Sequence, residues 1–190
     1  MSAILERLDK LEALERDRKT DTEVLNLMEE IGSSISGLRT LVVRYGSSQN
    51  PIMIRSLSFL LSVASSSPNP EISSLLFSLV EQIHCKNDES SLINCLTAIQ
   101  RQLINEISWN STQNPPRCLH PFLMHCLKQS IPVQSGAIAV IAKMHENNLL
   151  ETFKADQIAL IHCKLTELLA LHDELLDMEL EGLQEFLMYS

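Results

Sequence analysis

Apolar positions recur along this chain at intervals of three and four, the spacing that lines one face of an α-helix. Ile4, Leu8 and Leu11 open the pattern, with Glu6, Arg7, Asp9, Lys10 and Glu12 filling the remaining surface. This is a coiled-coil-like seam of about two heptads. A helix this short is marginal in water by itself, so the seam must pack on something. The stretch Glu15–Glu23 has no apolar residue. The stripe then resumes with Val24, Met28, Ile31, Ile35, Leu38 and Val42, at intervals of 4, 3, 4, 3 and 4. Thr20 and Glu23 have capping-box spacing, which starts a second helix there. The alternative is one long helix with a solvated middle. Gly32 and Gly37 each weaken such a helix by about 1 kcal/mol relative to alanine, and small residues let a neighbour approach. The run Gly46–Asn50 ends the stripe.

Turn signals divide the rest of the chain. Pro51 opens a helix to about Ser65, carrying Ile54, Leu57, Leu60, Leu61 and Ala64. The loop SSSPNP follows, and Asn69 with Pro70 makes an N-cap and first-turn pair for a helix bearing Ile72, Leu75, Leu76, Leu79 and Ile83. Asp88 caps the next, with Leu92, Ile93, Leu96, Ile99, Leu103 and Ile107. After the loop NSTQNPP comes a shorter helix with Leu119, Phe122, Leu123, Cys126 and Leu127; Pro121 disturbs its first turn. Ser130–Pro132 breaks again before Ala137, Val140, Ile141 and Met144. The last element runs from about Ala155 to Met188, either as one helix or as two broken near His172–Asp173.

The fold class is therefore all-α. Residues 1–46 form an N-terminal amphipathic helical segment. Residues 47–190 form a small right-handed stack or irregular bundle of about six helices, ending in an acidic helix. Few glycines (5) and few aromatics (4%) argue against parallel α/β folds and β-sandwiches.

Charge narrows the partners. The formal net charge is −9, which disfavours unaided contact with phosphate backbones. Residues 165–190 hold seven acids and no base, while 31–164 are near neutral. Such a tail is a solvated helix face or a surface for a basic partner. No run approaches the ~18 apolar residues of a membrane span. The charged start MSAILERLDK lacks an apolar signal core, and the five cysteines include no CxxC pair. Those features indicate an intracellular protein with reduced thiols, nuclear or cytoplasmic.

Candidate chemistry is thin. His84–Cys85, His125–Cys126 and His162–Cys163 are adjacent pairs, with Cys118 and His120 nearby. Neighbours on a helix point about 100° apart and seldom share a tetrahedral metal. The plainer reading is that Cys95, Cys126 and Cys163 fill core positions. No glycine-rich phosphate loop, GxSxG or HExxH is present. No catalytic residue, metal ligand or cofactor is expected. The sequon at Asn110 is set aside for want of a secretory signal; Ser48, Ser67 and Thr112 match minimal kinase-target pairs. Trp109 is a core cap or a half-exposed anchor.

Three helix pairs, 51–84, 89–129 and 132–172, each span roughly 35–40 residues, the period of helical repeats. In period and apolar pattern they resemble HEAT and armadillo-like solenoids, above all in PIMIRSLSFLLSVASSSPNPEISSLLFSLVEQI. Ile4–Leu14 followed by these pairs also resembles the accessory scaffold subunits of the meiotic DNA double-strand-break machinery. That resemblance implies an interaction subunit of a multiprotein nuclear complex, touching DNA only through basic partners. The expected partner-binding positions are Ile4, Leu8, Leu11, Val24, Met28, Ile31, Ile35, Leu38 and Val42; the plainer alternative buries both seams within the chain. The alternative functions are a homo-oligomeric coiled-coil adaptor held by the 24–42 seam, and an enzyme with a helical active site.

Overall fold

The computed structural model describes residues 2–16, 21–67, 69–83, 88–104 and 117–171. Among them are nine α-helices, one short 3-10 turn and no strand. The fold is all-α. The helices are α1 (Ser2–Arg16), α2 (Asp21–Ile31), α3 (Ile35–Tyr45), α4 (Pro51–Ala64) and α5 (Pro70–Ile83). They continue with α6 (Glu89–Ile104), α7 (Leu119–Cys126), α8 (Ile131–Glu146) and α9 (Ala155–Leu171), the 3-10 turn Leu150–Thr152 lying between the last two.

Side chains cap several of these helix starts. Asn50 accepts a hydrogen bond from the Ile52 amide (3.0 Å) and Pro51 takes the first helical position of α4. Asn69 does the same for Glu71 (2.9 Å) ahead of Pro70. Asp88 accepts from the amide (3.0 Å) and hydroxyl (2.6 Å) of Ser91 at the start of α6. Each satisfies an amide that the first turn leaves without a helical partner. Pro121 is tolerated because it falls in the first turn of α7, where its missing N–H costs nothing. Asn148 takes a positive φ of 57° just past α8, a conformation Asn adopts more readily than most residues.

The unbroken stripe from Val24 to Val42 does not ride on one helix. The chain turns at Gly32–Ser34, and Ser34 caps α3 by accepting from the Gly37 amide (3.1 Å). Gly37 is needed for close approach: a Cβ there would sit 1.7 Å from the Ile31 carbonyl oxygen. The apolar intervals run on through the turn because Ile31 ends one helix and Ile35 begins the next. The proposed cap Thr20 lies outside the described residues.

The helices stack in two rows. α2, α4, α6 and α8 touch in succession, and so do α3, α5 and α7; α1 covers α2, and α9 packs on α8. The most extensive contacts are α4 on α6 and α6 on α8. Short hydroxylic side chains let the helices lie close, since Ser56, Ser58 and Ser62 of α4, Ser73 of α5 and Ser91 of α6 are all buried. The hydroxyls of Ser58, Ser62, Ser73 and Ser91 form hydrogen bonds locally or across the seam, as when Asn94 donates to the Ser58 hydroxyl (3.3 Å). One apolar core runs from Leu8 to Leu168 without interruption, crossing the expected boundary at 46/47.

The C-terminal end of α4 is finished by α6. Arg101 donates to the Ser62 carbonyl (2.6 Å), and the Gln102 amide donates to the Ser65 carbonyl (3.0 Å). Gln102 is fully buried, and its side-chain oxygen accepts from the Ser73 hydroxyl of α5. One glutamine thus ties three helices together at the end of α4.

Candidate interaction surface

α4 is apolar nearly all the way round, PIMIRSLSFLLSVA. A helix of that kind either is buried on every side or leaves apolar residues showing. Met53, Ile54, Leu57 and Leu61 face the core. The opposite side carries Ile52, Arg55, Phe59 and Val63, at intervals of three and four. Phe59 is 40% and Val63 54% exposed, one turn apart. Among the described residues, the other large exposed apolar side chains, Leu5, Val43, Ile131 and Leu171, stand singly on α1, α3, α8 and α9. Scattered apolar residues are ordinary on a protein surface; two adjacent ones beside a hollow are less so.

The hollow is a groove of about 390 Å³ where α4 lies between the starts of α2 and α6. Leu25, Ile52 and Phe59 supply its apolar wall, and Thr22, Ser90 and Asn94 its polar edge. Arg55 projects into it, held by Asp88 (3.1 Å) and more loosely by Asp21 (3.7 Å). The hydrogen bond to Asp88 and that carboxylate's charge raise the Arg55 pKa, keeping the guanidinium charged. Partial burial pulls the Asp88 carboxyl upward, but hydrogen bonds from Ser91 and Arg55 outweigh this and hold it below its ordinary value. The groove therefore holds the Arg55–Asp88 ion pair, with Asp21 close by, beside an apolar wall. A second hollow, about 450 Å³ between α1 and α2, is edged by Lys10, Glu23 and Glu30, and none of the large exposed apolar residues lines it.

The positions expected to meet a partner lie away from this groove and are mostly buried. Leu8, Leu11, Val24, Met28, Ile31, Leu38 and Val42 belong to the core, each no more than 4% exposed. Ile4 is half-buried against that core, and Ile35 is half-buried at the first residue of α3. The seams face inward because α1 folds onto α2, while α2 and α3 pack on α4 and α5. A partner reaching them would first have to displace the chain's own helices. Phe59, Val63 and Arg55 were not among the expected positions. The signal for them is the apolar residues of α4 that fall off its buried stripe.

Nucleophile and metal chemistry finds little to build on. Among the described residues no group of three or more His, Cys, Asp or Glu side chains is placed to hold a metal ion. Burial pushes the Cys126 thiol up to about 12 and Cys95 further still, with Cys126 adding to the effect on Cys95. Burial also raises Cys118, to about 11. The exposed Cys163 is raised by its hydrogen bond to Glu167 and by that carboxylate's charge. The reactive form of cysteine is the thiolate, and none of these four is poised to be one near neutrality. His120 of α7 reaches the 3-10 turn, its ring 2.9 Å from the Thr152 hydroxyl and edge-on to Phe153 at 4.2 Å. Burial lowers its pKa. His84, Cys85, Trp109, Asn110 and Thr112 lie outside the described residues, as does the acidic stretch after Leu171.

Among the described residues no helix is long and apolar enough to cross a membrane. Comparison of the chain with protein-family models, with curated proteins and with solved structures found no match in any of the three.

Proposed function

We propose that this chain is a non-enzymatic interaction subunit, a stack of helix pairs that holds a partner protein against the face made by α2, α4 and α6. The observation that carries this reading is the exposure of Phe59 and Val63 beside the Arg55 groove. An apolar segment of a partner fits such a site, with an aromatic anchor on this side and the Arg55–Asp88 pair at its edge. The succession α2–α4–α6–α8 supports the helical-repeat reading, since solenoids present one row of helices to their ligands. Its narrower form is a scaffold subunit of a nuclear complex promoting meiotic DNA double-strand breaks, and this rests on the resemblance of Ile4–Leu14 and the pairs after Pro51.

The test is co-purification of the tagged chain from its own cells beside a Phe59→Asp/Val63→Asp variant. The proposal expects at least one partner to be lost with the variant while the thermal unfolding midpoint stays put. Loss of a well-packed anchor costs about 2 kcal/mol of binding, roughly thirtyfold in affinity. Exposed positions of this kind change stability by only about 0.5 kcal/mol. An identical set of partners in both samples overturns the proposed face. Recovery of meiotic break-forming proteins among the lost partners supports the narrower form, and their absence removes it.

A further inference from the structure

We draw no further inference here: the strongest candidate, the groove between α2, α4 and α6 around Arg55 and Phe59, belongs to the site already described, and nothing in the structure shows what covers it.

Discussion

At the scale of single residues, two positions separate local preference from tertiary demand. Gly37 lies inside α3, where alanine is the better helix former by about 1 kcal/mol. Propensity alone therefore predicts that Gly37→Ala stabilises the protein. The structure predicts the opposite, because the new methyl would fall within 1.7 Å of the Ile31 carbonyl oxygen. A backbone atom cannot give way as a flexible side chain does, so the turn between α2 and α3 must shift. We expect a net loss of about 1–3 kcal/mol, the usual cost of overpacking, read from chemical denaturation. A gain would mean that the α2–α3 turn is not as tight as described. His120 offers the second case. Its folded-state pKa is lowered by burial, so the unfolded chain binds the proton more readily. The associated stability is present above the ordinary histidine value of about 6.5 and is lost as pH falls through the lower folded value. Thr152 already donates its hydroxyl proton to the Leu149 carbonyl (2.5 Å), so its oxygen accepts from His120. A glutamine can keep that contact without titrating. Between pH 7 and 5 the unfolding midpoint should fall more steeply in the native chain than in His120→Gln. Parallel curves would show that His120 does not contribute to the acid sensitivity.

At the scale of helices, boundaries were legible where a side chain caps the first turn. Asn50 with Pro51, Asn69 with Pro70, and Asp88 mark their helices in the sequence and make the expected bonds in the fold. The break at Gly32–Ser34 was not legible, because the apolar intervals continue through it and Ser34 acts over only one short turn. Nor could spacing say which stripe meets which. Ile4, Leu8 and Leu11 have the look of a docking seam when taken alone, and only the fold of α1 onto α2 turns them inward. The serines of α4 show a different effect of packing. Hydroxylic residues usually mark loops and caps, yet Ser56, Ser58 and Ser62 are buried where α4 packs among its neighbours. The same packing makes Gln102 a test of how the helices are joined. Gln102→Leu keeps the bulk but strands the Ser73 hydroxyl and removes one bond to the Ser65 carbonyl. Buried polar groups stranded this way cost about 1–3 kcal/mol. Adding Ser73→Ala to Gln102→Leu removes the stranded group, so the double variant should lose less than the two singles combined. Strict additivity would argue that the Ser73–Gln102 bond does not link α5 to α6.

At the scale of the whole molecule, the question is whether residues 1–46 behave as a separate arm or as the first layer of the stack. A stack is stabilised by each layer's contact with the next, and its end layers must be covered. α1 does that for α2, placing Leu8 and Leu11 in the core that continues to Leu168. Leu11 is fully buried, so Leu11→Ala should cost about 2–5 kcal/mol. How that loss is distributed decides the architecture. If the layers unfold together, amide exchange in α6 and α8 rises along with exchange in α1 and α2, because the protected amides open only in global unfolding. If the boundary at 46/47 separates two units, exchange quickens in α1–α3 alone and α4–α9 keep their protection. The continuity of the core favours the first outcome. It also dictates how the proposed interaction face has to be probed. Charge placed at Leu8 or Leu11 would disrupt the core beneath α2, and loss of binding would then say nothing about contact. Phe59 and Val63 sit on the exposed side of α4, where a substitution tests the proposed contact without passing through the core.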